Sequence, residues 1–267
     1  MRIFAFRFLV PLMRSLVSIV SLLAVCAATS SQEKKAEPKK EPPPKVLYSI
    51  PLVVKPGQKQ KLALRGRHLA SVKDVKVVGA DGAKVRVIGA KAVGVPNNYP
   101  ADRVGDSEVE IELELPNDAK PGAVKLIAAG ASDSNEYRLL VRDNLPTAAE
   151  KEDNGAFGSA QLIALPVAVE GTIKGERDVD VFKFVGKKGQ KVRIEVQAAR
   201  FGSPLDGFLT VCDANRNILD TVDDADGSAD PVVTLTLPGD GAYYVSLIDA
   251  HDLGGPNFGY RLIVKPD

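Results

Sequence analysis

The chain has 267 residues, 45% hydrophobic and 26% charged, with abundant Gly (23) and Pro (18) and no Trp. That is globular composition, and the length suits about two domains rich in turns. Formal net charge is +1, so no basic surplus exists to drive nucleic-acid binding.

Residues 1–29 read as a secretory signal peptide. Arg2, Arg7 and Arg14 form a positive leader, Leu16 to Val25 is an apolar run, and Val25-Cys26-Ala27-Ala28 supplies small residues for cleavage. The apolar run is shorter than the ~20 residues needed to span a bilayer, so no membrane span is expected in the mature chain. Leu23-Ala24-Val25-Cys26 also resembles a lipobox, with Val25 where Gly, Ala or Ser normally stands; a lipid on Cys26 would tether the protein rather than free it. Losing three arginines with the leader takes the net charge from +1 to −2. Cys26 and Cys212 are the two cysteines. Once the first is removed no internal disulfide can form, and Cys212 reads as a small buried hydrophobe. Residues 30–45 are Lys, Glu and Pro with almost nothing apolar, a linker that is expected to be disordered and extended.

Residues 46–142 read as an all-β domain. Val109, Ile111, Leu113 and Leu115 alternate with Glu108, Glu110, Glu112 and Glu114, giving one apolar face and one solvated acidic face. Further strands are expected at residues 62–64, 75–78, 85–88, 124–128 and 137–141, with turns at Pro56-Gly57, Asp81-Gly82 and Pro121-Gly122. Regular short strands without helical period point to a β-sandwich. Gly66-Arg67-His68-Leu69 and the Pro116…Pro121-Gly122 turn before the last strands give this stretch a resemblance to the IPT/TIG immunoglobulin-like family, which implies a spacer or binding module. Residues 92–106, with Tyr99 near the middle, are the one long irregular loop expected.

A connector, residues 143–149, leads to a second all-β domain at 150–267. Candidate strands are 162–165, 181–185, 192–198, 208–212, 232–237, 242–248 and 260–264. The central hairpin is residues 171–198. Its second arm alternates Val192, Ile194, Val196 and Ala198 with Lys191, Arg193, Glu195 and Gln197. In the first arm Phe182 and Phe184 share a face, and the same parity places Asp178 and Asp180 on the inward side. Two buried carboxylates are costly. Either the strand bulges and turns Val179 and Val181 inward, or the Asp pair sits at the sheet rim around a cation.

Several blocks in this domain, Glu150-x-Glu152-x-Asn154, EGTI, DVDVFKF, KKGQKV, Leu205-Asp206, Asp223-Asp224, DGAYYVSLID and GYRLIV, make it resemble the bacterial pre-peptidase C-terminal (PPC) domain. It is similar also to the collagen-binding domains of clostridial collagenases. The fold expected for the whole chain is therefore two tandem β-sandwiches, immunoglobulin-like and then jelly-roll-like. The resemblance implies a structural Ca²⁺ held by Glu150, Glu152, Asn154, Asp178 and Asp180, with carbonyls or waters completing six to eight oxygens. Asp153 and Gly155 depart from the family's Pro and Asx, and the lost Asx weakens the site. The bland alternative is that these acids are solvated linker and rim residues.

The run Asp220, Asp223, Asp224, Asp226 and Asp230 lacks EF-hand spacing, as does Asp213, Asn215, Asn217 and Asp224, where Ile218 fills the required Gly position. Both read as turn residues. His68 and His251 lie outside H-E-x-x-H, and G-x-S-x-G and the P-loop are missing from the sequence. No catalytic residue is assigned. The expected function is an exported, non-catalytic binding or localising protein of the periplasm, cell surface or medium. It would attach to a peptide, matrix or surface polymer or assist a secreted protease, using edge strands and the aromatics Tyr243 or Tyr244, Phe201 and Tyr260. The alternatives are a small metal-dependent secreted hydrolase using the acidic cluster, and a passive spacer of the cell envelope.

Overall fold

The computed structural model describes residues 42–95, 101–225 and 227–267. The expected leader, lipobox and most of the linker lie outside the described residues, as do Tyr99 and Asp226. Glu41–Asp267 form one compact unit. Among the described residues, no helix is long and apolar enough to cross a membrane.

The first half is built from β1 (Lys45–Ile50), β2 (Val53–Val54), β3 (Lys59–Arg67), β4 (Asp74–Val78), β5 (Lys84–Ala92), β6 (Ser107–Glu114), β7 (Gly122–Ala129) and β8 (Tyr137–Val141). They form two four-stranded sheets, ordered β1-β3-β6-β5 and β2-β8-β7-β4. The alternating run lies on β6, where Val109, Ile111 and Leu113 are fully buried among Leu62, Leu64 and Leu126. The four glutamates face outward and meet cations of the flanking strands, as in Arg65–Glu108 at 3.5 Å and Lys91–Glu108 at 3.1 Å. That is the solvated face read from the sequence. Within the long loop, Ala101–Val104 form a single helical turn, α1.

The second half holds β9 (Thr147–Ala149), β10 (Gln161–Leu162), β11 (Val167–Thr172), β12 (Asp180–Gly186), β13 (Lys191–Gln197), β14 (Gly207–Cys212), β15 (Ile218–Val222), β16 (Val232–Thr236), β17 (Gly241–Asp249) and β18 (Gly259–Pro266). Two five-stranded sheets result, β10-β12-β17-β14-β15 and β16-β13-β18-β11-β9. Phe182, Phe184, Ile194, Val196, Leu209, Val245 and Leu262 fill the core between them. The last three residues of the expected connector form a strand: β9 pairs in parallel with β11, Ala148 opposite Val169. Cys212 is free and buried, as read.

The two halves meet at a small third apolar cluster of Leu52, Val53, Leu140 and Phe201. The Tyr137 hydroxyl donates to the Phe201 carbonyl at 2.7 Å, and burial pushes that phenol up to about 12, so it remains a donor. Arg138 stacks over the Phe201 ring at 5.4 Å. At Gly202, φ is +87°, and a Cβ there would meet the Leu47 carbonyl at 2.2 Å. Glycine is what allows the two backbones to approach so closely.

Candidate metal centre

Asp180 opens β12 and pairs with Leu247 in an unbroken antiparallel register that runs through Val181–Ser246 and Phe182–Val245. No bulge intervenes. Asp180 therefore keeps the inward parity of Phe182 and Phe184 and is 0% exposed. Its Oδ2 accepts a hydrogen bond from the Tyr260 hydroxyl at 2.7 Å. Its Oδ1 is buried with no hydrogen-bond partner, and so is Oε1 of Glu150.

Glu150 reaches this point because β9 continues along β11. The Glu150 amide donates to the Glu170 carbonyl at 2.9 Å, and Glu150 Oε2 accepts from the Thr172 amide at 2.8 Å. Tyr260 stands opposite Gly171 in the β11–β18 pair. A Cβ at Gly171 would lie 2.4 Å from the Tyr260 hydroxyl and 2.6 Å from Glu150 Oε2, so the cluster needs glycine here. Burial is the main force pushing the Asp180 carboxyl up to about 9, and the Glu150 carboxylate beside it adds to the shift. The Tyr260 phenol is also raised, by burial first and then by the negative charges of Asp180 and Glu150.

Asn154 is 3% exposed; its carbonyl accepts from the Val181 amide at 3.2 Å, and its Nδ2 has no partner. Asp178 lies in the turn before β12, not on it, and spends Oδ2 on the Lys174 amide at 2.6 Å. Glu152 pairs with the Lys174 ammonium, whose pKa is raised first by that bond and further by Glu150 and Asp178. Local charges thus connect all four acids, and Asn154 packs against the strand that carries Asp180. Yet only Glu150 and Asp180 bring unpartnered buried oxygens together. Lys174, a cation that the sequence reading did not include, neutralises the outer pair.

Two buried carboxylate oxygens without donors are a hard, all-oxygen pair. They can share a proton or hold a divalent cation, and this donor set fits Ca²⁺. Gly171, Thr172 and Tyr260 also line a cavity of about 250 Å³ at the junction of the two sandwiches.

A second acidic group was read only as separate pieces. Asp206, Asp223 and Asp224 bring their carboxylate oxygens within 4.8 Å of one another, with His251 Nδ1 3.3 Å from Asp206 Oδ2. Burial pushes the Asp206 carboxyl up, opposed by His251 and reinforced by Asp223, Asp224 and Asp249. Asp230 does not belong to this group. It is buried and caps the amides of Ala198, Ala199 and Arg200. Of the aromatics expected as contacts, Tyr243, Tyr260 and Phe201 are buried, and Tyr244 alone points outward.

Residues 178–248 match the family described as the bacterial pre-peptidase C-terminal domain. A segment of 72 residues is 43% identical to a probable subtilase-type serine protease of Deinococcus radiodurans, covering 27% of this chain and 10% of the protease. Among solved structures, the pre-peptidase C-terminal domain of a Bacillus anthracis collagenase aligns at 18% identity with a TM-score of 0.33, over 46% of this chain and all of that one. A periplasmic inhibitor of g-type lysozyme from Aeromonas hydrophila aligns at 16% identity and 0.30, over 47% of this chain and all of that one. Asp178 and Asp180 open the matched stretch, and Glu150, Glu152 and Asn154 precede it. The second sandwich thus carries, over residues 178–248, a bacterial pre-peptidase C-terminal domain.

Proposed function

We propose that the chain is an exported, non-catalytic binding or localising protein, attached to a peptide, matrix or surface polymer or assisting a secreted protease. The observation that carries this reading is the pre-peptidase C-terminal match at 178–248, shared with a serine protease of which the matching segment spans 10%. Export follows from the leader pattern of residues 1–29. The IPT/TIG resemblance of residues 46–142 fits a spacer that presents the second sandwich. Ca²⁺ in the Glu150–Asp180 cluster, with Asn154 and Asp178 nearby and Glu152 in reserve behind Lys174, would be a structural clip. One specific observation favours a second reading, a metal-dependent hydrolase: the convergence of Asp206, Asp223 and Asp224 beside His251.

The test is a pair of assays on the purified chain. Retention on immobilised gelatin or cell-envelope polymer, or altered casein cleavage by an added secreted subtilase, supports the binding reading. Hydrolysis of casein or ester substrates by the chain alone, abolished by Asp223→Ala, would replace it with the enzyme reading. Neither binding nor turnover would leave a passive spacer.

A further inference from the structure

The outer face of the β10-β12-β17-β14-β15 sheet carries a cross-strand row, shifted in register at Val211/Cys212 and with Cys212 itself buried. Leu162 pairs with Lys183, Lys183 with Tyr244, Tyr244 with Cys212, and Cys212 with Ile218. The row crosses all five strands, about 19 Å at the usual strand spacing. Its two ends are large exposed hydrophobics, Leu162 at 70% and Ile218 at 65% exposure, and Val185, two residues from Lys183 on the same face, is 69% exposed. These are three of the six large hydrophobic side chains exposed among the described residues. Aromatic and cationic groups fill the middle. Phe157 meets Tyr244 edge to face at 5.1 Å, Arg216 lies over Phe157 at 5.2 Å, and Lys183 lies over Tyr244 at 5.6 Å. Arg216 sits at φ +67° in the turn where its amide donates to the Asp213 carbonyl at 3.0 Å. Neither Lys183 nor Arg216 has an ion-pair partner among the described residues.

Apolar side chains concentrated on one open sheet face mark an interaction surface. Resting on the binding reading above, we infer that this row docks an extended acidic polypeptide segment, whose carboxylates meet Lys183 and Arg216 while its apolar side chains cover Leu162, Val185 and Ile218. The row spans about six residues of extended chain. A polysaccharide suits the face less well. The rings stand at 75° to each other and so do not form a flat stacking platform, and branched aliphatic side chains offer a sugar no stacking surface.

The test uses the full chain and fluorescence anisotropy with the labelled peptide Asp-Phe-Asp-Leu-Asp-Phe and its counterpart with Lys in place of Asp. The expected result is saturable binding of the acidic peptide alone, weakened by salt. Binding should fall about tenfold or more in Lys183→Glu with Arg216→Glu, and again in Leu162→Ser with Val185→Ser. All four positions are on the surface, and an unchanged melting temperature confirms folding. Equal binding of both peptides, or binding that survives both double variants, overturns the docking row while leaving the binding reading in place. Retention on an anionic polysaccharide column without peptide binding also overturns it. Failure to bind peptide, gelatin and polysaccharide alike would remove both.

Discussion

At Asp180 two costs oppose each other. Burial favours the neutral carboxyl, while a cation would favour the charged form. The parity of Phe182 and Phe184 already placed this carboxylate inward in the sequence, and the continuous register confirms it. Its partners could not be read locally. Tyr260 is 80 residues away, and Glu150 arrives from the connector by way of β9. In chelator, the folded carboxyl retains its proton to about 9, whereas the unfolded one loses it near pH ~4. Between these values the folded state binds more protons, so stability falls as pH rises. The expected result is a melting temperature that declines from pH 5 to 8 in chelator and a flatter profile in Asp180→Asn. Calcium should reverse the decline. With a Kd of ~0.1 mM, 1 mM calcium contributes about 1.4 kcal/mol, or roughly 3–5 °C. Identical melts in calcium and chelator would remove the metal. Gly171→Ala should cost about 1–3 kcal/mol by forcing a methyl against the Tyr260 hydroxyl, measured by urea titration.

Among elements, strands with clean alternation were legible: β6, β13 and β17 lie where the pattern put them. Five strands were missed, β1, β2, β9, β11 and β15, three of them for separate physical reasons. In β11, Val167, Ala168 and Val169 are buried in succession, so no alternation remains to detect. In β9, Ala148 and Ala149 lack the β-branched or aromatic bulk that marks a strand, and Thr147 alone is too short a signal. β15 follows an Asx-rich turn, held by Asp213 Oδ1 on the Asn215 and Asn217 amides, and reads as its continuation. The packing around β18 explains the first of these. Glu170, Arg261 and Gln197 form a row across β11, β18 and β13, and the connector lays Asp143 over it. Arg261 is 1% exposed as a result. Its guanidinium hydrogen-bonds Gln197 at 3.1 Å and lies 3.9 Å from Glu170, which Arg142 also holds. Removing one partner of a buried ion pair costs about 3–5 kcal/mol. Arg261→Ala should fall at the lower end, about 3 kcal/mol, because Asp143 and Glu170 keep some solvent contact. A shift in the urea midpoint below a third of that would show that the network adds little.

At the scale of the whole molecule, the question is whether the two sandwiches unfold separately. Each has its own core, and a linker alone would leave them independent. The joint is more than a linker. Leu52, Val53, Leu140 and Phe201 bury against one another, the Tyr137 hydroxyl closes onto the Phe201 carbonyl, and β9 takes the connector into the second sandwich's sheet. Truncating a buried Phe typically costs about 3–5 kcal/mol, so Phe201 alone can couple two domains whose stabilities differ by less than that. Calorimetry of residues 42–267 should therefore show one transition, with calorimetric and van't Hoff enthalpies equal. Phe201→Ala should split it into two, because it empties the joint while leaving both cores intact. Tyr137→Phe, which removes the hydroxyl's buried contacts with the Phe201 carbonyl and Ser49 Oγ, worth about 1 kcal/mol each, should lower the single transition without splitting it. Two resolved transitions in the unaltered protein would mean that the joint transmits nothing, and the sandwiches would then act as independent modules on a common chain.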